Sequence, residues 1–131
     1  MKFDIEYDQG LNLKVIHIRN VVTPADLLEI AMNDGGPFQP LNVLWVIAPG
    51  TLRELSLDDL KKAVDERGSA IMGLPGGKTL VVADDPSEAM LMKWYQAYAN
   101  TPGGEPNELR MCASVGAARE LLRSAGPQIV A

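Results

Sequence analysis

Residues 79–88 read Thr79-Leu80-Val81-Val82-Ala83-Asp84-Asp85-Pro86-Ser87-Glu88. An apolar run of strand length is followed at once by the opening of a helix. Asp85 can cap it, Pro86 fits the first helical position, and Glu88 is an acid three residues after the cap. The same succession occurs three more times, with apolar runs at residues 11–19, 43–47 and 109–113 and a helical pattern behind each. Strand-then-helix units in series imply a parallel sheet with helices packed on it.

Working outward, Val43-Leu44-Trp45-Val46-Ile47 has no polar break, as expected of a central parallel strand covered on both faces. Towards the N-terminus, Phe3, Ile5 and Tyr7 alternate with Asp4 and Glu6, the pattern of a strand with one wet face. Asp8-Gln9-Gly10 is a turn signal with Gly10 available for a positive φ, and the chain returns through Leu11, Leu13, Val15, Ile16 and Ile18. Residues 3–19 therefore read as an antiparallel hairpin whose second arm begins the repeating pattern. Thr23-Pro24-Ala25-Asp26 starts a helix with Leu27, Leu28 and Ala31 on its buried face, and Gly35-Gly36-Pro37 ends it.

After Ala48-Pro49-Gly50, Ser56-Leu57-Asp58-Asp59 caps a helix with Leu57, Leu60 and Val64 inward and an Asp58–Lys62 pair outside. Residues 68–78 are glycine-rich and read as a loop. The helix opened by Asp85 ends near Asn100, before Thr101-Pro102-Gly103-Gly104. Leu109-Arg110-Met111-Cys112-Ala113 is the last strand. Ser114 caps the final helix, with Ala118, Leu121 and Leu122 towards the core, and the tail from Gly126 is frayed. The expected fold is α/β: an antiparallel N-terminal hairpin strand plus four successive βα turns, forming a mixed, mostly parallel sheet with helices packed on it.

The 131 residues suit one domain spanning 1–131. Composition is that of a globular chain, 47% hydrophobic and 22% charged. A net charge of −5 without a Lys/Arg stripe argues against nucleic-acid binding. The N-terminal residues lack the apolar core of a signal peptide, and no apolar run reaches the length of a membrane span. A single cysteine, Cys112, allows no intrachain disulfide, so a cytoplasmic location is expected. One histidine and one cysteine argue against a zinc site, and no calcium-loop pattern occurs; no cofactor is expected.

The order of elements, with Val81-Val82-Ala83-Asp84-Asp85, a helix through Met92 and Tyr95, a short strand and Ala117-Ala118-Arg119-Glu120-Leu121-Leu122, resembles the STAS-like or SpoIIAA-like proteins over residues 3–123. The closest likeness is to the SpoIIAA-like branch. The better-known members of the wider family are anti-sigma-factor antagonists with a phosphorylatable serine in an Asp-Ser-Ser-Gly-Leu-like segment after the central strand. The matching stretch here is Thr51-Leu52-Arg53-Glu54-Leu55-Ser56-Leu57-Asp58-Asp59. Ser56 falls near that place, but the second serine and the following Gly-Leu are absent, and two acids close by would repel a phosphate.

Two further groups of residues are candidates. Met90, Trp94, Tyr95 and Tyr98 belong to a helix whose apolar residues cover more than half its circumference, more than one packed face needs. Extended core, a homodimer contact and an apolar-ligand surface are the readings of that surplus. His17, Arg19, Thr51, Asp84, Asp85 and Ser114 fall at strand ends, the rim where open α/β sheets hold ligands. There His17, Arg19 and helix N-termini could hold an anion, while a satisfied histidine and a surface arginine are the plainer alternative. Cys112 reads as a small core residue, since no base can be placed beside it. Gly73-Leu74-Pro75-Gly76-Gly77-Lys78-Thr79 ends like a phosphate loop, but it lacks the first glycine and precedes a strand. The resemblance implies an interaction or regulatory module that docks a protein partner and self-associates. A small-molecule binding protein is the alternative, and an enzyme the third reading.

Overall fold

In the computed structural model, residues 2–32, 36–56, 58–59, 62, 77–99 and 108–125 are described. They form one five-stranded sheet in the order β1-β2-β3-β4-β5, with β1 Phe3–Asp8, β2 Leu13–Ile18, β3 Asn42–Ile47, β4 Lys78–Ala83 and β5 Glu108–Met111. β1 is antiparallel to β2, and every later neighbour is parallel. The helices are α1 Pro24–Met32, α2 Pro86–Ala99 and α3 Val115–Ala125. The α/β class and the mixed, mostly parallel sheet agree with the sequence reading.

Because the strand order never reverses, crossovers of one hand place the intervening helices on one face. Leu27 and Ile30 of α1 and Leu91 of α2 accordingly share a cluster with Ile16, Trp45 and Val81. Among the described residues α3 follows the last strand, and it takes the other face. There Ala118 and Leu122 cover Leu13, Val15, Leu44 and Leu80. Both faces of β3 are therefore buried, as its unbroken apolar run requires.

The hairpin turn differs from expectation. A short 3₁₀ turn, Gln9–Leu11, precedes β2, which starts at Leu13, and the left-handed residue is Asn12 (φ 49°), not Gly10. Asparagine tolerates that conformation, and here its side-chain oxygen also accepts the Leu41 N–H at 3.0 Å. Leu28 is corrected too: it is 43% exposed, while Ile30 is buried. Leu27 and Ile30 share a stripe, and Leu28 stands roughly 130° from its centre at 100° per residue. The side chain of Ala31 lies outside the described residues. β5 begins and ends earlier than the run 109–113, at Glu108 and Met111, although the Cys112 N–H still donates to Val81 O at 2.7 Å. Of the helix expected behind Ser56, Asp58, Asp59 and Lys62 are helical, and Leu57, Leu60 and Val64 lie outside the described residues. So do most of the 68–78 loop and the tail.

Caps form where the sequence placed them. Thr23 Oγ1 accepts the Asp26 N–H at 3.2 Å, and Asp26 Oδ2 accepts the Thr23 N–H at 2.9 Å. Thr23→Ala should lower stability by about 1 kcal/mol, read from the urea midpoint. The Lys2 ammonium, 2.9 Å away, and then the Thr23 N–H hold the Asp26 carboxyl below the ordinary aspartate range. A carboxyl depressed in the folded state adds stability above its unfolded pKa of about 3.9, and loses it as pH falls through the lower folded value. Asp26→Asn should therefore be less stable than the parent at neutral pH and converge with it at the acid end of a pH series of urea melts.

Candidate functional site

The C-terminal ends of the parallel strands open into a groove of about 690 Å³. One wall is the loop after β3, through Leu52, Arg53 and Leu55; the other is the first turns of α2, through Met90 and Leu91. The groove lies on the α1/α2 face, since Leu52, Leu55 and Leu91 all pack into that cluster. Met90 is 52% exposed beside it, and Arg53 Nη1 reaches back over Gly50.

The loop is held by local hydrogen bonds and by tertiary bonds to the segment before α1 and to α2. Gly50 takes a left-handed φ of 79°, which glycine adopts without strain. Thr51, nearly fully buried, donates its hydroxyl to the Ala48 carbonyl at 2.7 Å, and its own carbonyl accepts the Val22 N–H at 3.0 Å. The tie to α2 is Glu88. Only 4% exposed, its carboxylate accepts the Gly50 N–H at 3.0 Å and the Leu52 N–H at 2.5 Å. The sequence reading gave Glu88 a local role in the α2 start, because the acid three residues after a cap ordinarily turns back to it. Asp85 does cap α2, accepting the Ser87 N–H at 2.8 Å and the Glu88 N–H at 3.4 Å, but the Glu88 side chain crosses to the neighbouring loop. No local sequence signal separates the two uses, so its tertiary role was missed.

The strand-end rim is split by the sheet. Thr51 and Asp85 belong to the groove side. Ser114 caps α3, accepting the Ala117 N–H at 3.0 Å, and Asp84 is exposed. His17 has the strand parity of Val15 and so faces the α3 side, with Nε2 2.8 Å from Glu6 Oε1. Arg19 Nη2 lies 3.4 Å from Asp4 Oδ2. On the same face Arg119 of α3 donates to Asp8 Oδ2 at 2.6 Å and stands 3.9 Å from Glu6. His17 and Arg19 thus belong to a charged seam between β1, β2 and α3, apart from the groove. Among the described residues, no group of three His, Cys, Asp or Glu side chains is placed to hold a metal ion.

Ser56 forms a reciprocal box: its Oγ accepts the Asp59 N–H at 3.3 Å and donates to Asp59 Oδ2 at 3.0 Å, and its N–H donates to the same oxygen at 2.8 Å. Trp94, Tyr95 and Tyr98 lie on α2, with side chains outside those described. Cys112 packs partly buried against the α3-side cluster. Burial pushes its thiol pKa up, against a smaller opposing effect of Arg110, so the thiolate is scarce near neutrality. Its alkylation by iodoacetamide should run about tenfold slower than that of free cysteine, by mass spectrometry.

Fold and groove together define an α/β protein with one five-stranded mixed sheet and an apolar trough at its strand ends. No family model, curated protein or solved structure matches the chain. Among the described residues, no helix is long and apolar enough to cross a membrane.

Proposed function

We propose that the protein is a SpoIIAA-like interaction module that docks a polypeptide partner in the groove between the loop after β3 and the start of α2. The observation that carries this reading is the groove's makeup: open, with Leu52, Leu55, Met90 and Leu91 exposing apolar surface beside Arg53, Asp85, Ser87 and Glu88. Exposed methionine beside an apolar trough suits adaptable packing against side chains. The occupant is a segment of another protein that presents apolar side chains. Self-association through α2 belongs to the same reading, and light scattering of the purified protein tests it.

A photo-crosslinking residue at Met90 and at Leu55, introduced in the source cells, tests docking against a control at Arg123 on the opposite face. The expected result is one discrete protein adduct from both groove positions and none from the control. That protein, purified, should bind the parent and bind Met90→Asp about tenfold or more weakly. Equal binding would overturn the reading. The groove's volume also falls within the roughly 300–1,000 Å³ of small-molecule sites. A copurifying mass in native mass spectrometry, lost in Leu55→Asp, would favour that alternative.

Ser56 is the residue of this loop proposed for modification. A phosphate on Oγ would break the Asp59 box and sit beside two acids. Intact-mass measurement of protein from its source cells checks this, and a single unmodified species would count against it.

A further inference from the structure

We propose that Glu88 is a latch that makes the groove: its carboxylate fixes the loop after β3 against α2, so the two walls exist as one surface only while it is engaged. The inference rests on the docking reading for its consequence, but not for its geometry. The Gly50 and Leu52 N–H groups, two residues apart, converge on one carboxylate. The left-handed Gly50 within such a run makes a concavity of donors that favours a negative charge. Hydrogen bonds to a charged acceptor in a buried setting are among the stronger ones a protein makes.

The remaining loop bonds fix other parts of it. Thr51 binds Ala48, Val22 binds Thr51, and the Leu55 N–H donates to Leu52 O at 3.0 Å, all on the loop's own side or towards α1. The Glu88 bonds alone among these join the loop to α2. Met90 and Leu91 follow Glu88 by two and three residues on the same helix, so the opposite wall is carried by the element that holds the latch. A displacement of α2 is therefore passed to Leu52 and Arg53 through the carboxylate, and binding at either wall is coupled to the order of the other.

The test begins without any partner, on the full chain, by NMR hydrogen exchange of parent, Glu88→Ala and Glu88→Gln. Protection of the Gly50 and Leu52 amides should fall about tenfold or more in Glu88→Ala. The Ala48 amide, bonded to Ile18 O, and the Cys112 amide, bonded to Val81 O, should be unchanged relative to global stability. Glu88→Gln keeps one carbonyl acceptor and should be intermediate, which preserves the test if the alanine variant does not fold. Unchanged Gly50 and Leu52 protection in both variants would overturn the latch. The second stage repeats the Met90 crosslink in Glu88→Gln, where adduct yield should fall about fivefold as the wall loosens. Loosened amides with an undiminished adduct would overturn the claim that the latch shapes docking. If the parent itself gives no adduct, the docking reading fails, and the amide result still decides the latch.

Discussion

Truncation of Leu44 to alanine should cost about 4 kcal/mol, seen as a lower urea midpoint at unchanged slope. Leu44 is fully buried in the middle of the central strand. It stands in register between Val15 of β2 and Leu80 of β4, beneath Ala118 and Leu122 of α3. The expected cost depends on whether the surroundings can close on the space left behind. Here β3 is paired on both sides, so moving either neighbour inward would strain a parallel ladder. The cavity should persist. Val46 faces the same side two residues on but is only partly buried, and Val46→Ala should cost about 1–2 kcal/mol. Equal losses at the two positions would show that α3 does not cover the strand centre as described.

Gly77→Ala should cost about 3 kcal/mol by the same measurement. A Cβ at Gly77 would lie 1.7 Å from the Leu41 carbonyl oxygen, so backbone must move. That backbone is held: the Leu41 N–H donates to Asn12 Oδ1 at 3.0 Å, and the buried Asn42 side chain accepts the Lys78 N–H at 2.9 Å and donates to Leu11 O at 3.0 Å. Yielding at Leu41 or Gly77 would strain bonds that align the starts of β2, β3 and β4. Gly116 is the control. It lies exposed in the first turn of α3, where a Cβ meets nothing nearer than Ser114 Oγ at 3.8 Å. Gly116→Ala should stabilise by about 0.5–1 kcal/mol, through helix propensity and the unfolded state. A neutral Gly77→Ala would mean that the close approach to Leu41 is not a feature of the folded protein.

The legible and illegible parts of the site divide by range. Asp85, Ser56, Ser114 and Thr23 were readable as caps because a cap is a bond between residues two or three apart, and all four make such bonds. The Thr51 loop and Asp85 were readable as strand-end positions, and they do flank the groove. His17 and Arg19 were read as part of the same rim, yet the sheet lies between them and the groove. Parity gave their shared face, but it could not give which helices cover that face. Glu88 shows the limit most sharply: its sequence position fits a cap, and its side chain serves a loop 36 residues away.

The sequence alone determined the alternation of strands and helices, the helix starts, and the burial of β3 on both faces, because these follow from short-range periodicity and local hydrogen bonding. Tertiary structure decided which face each helix covers, that Leu28 is exposed while Ile30 is buried, that Gly77 must lack a side chain, and that the Glu88 carboxylate bonds the loop after β3. Those outcomes depend on contacts between segments far apart in the chain, whose energies no local pattern encodes.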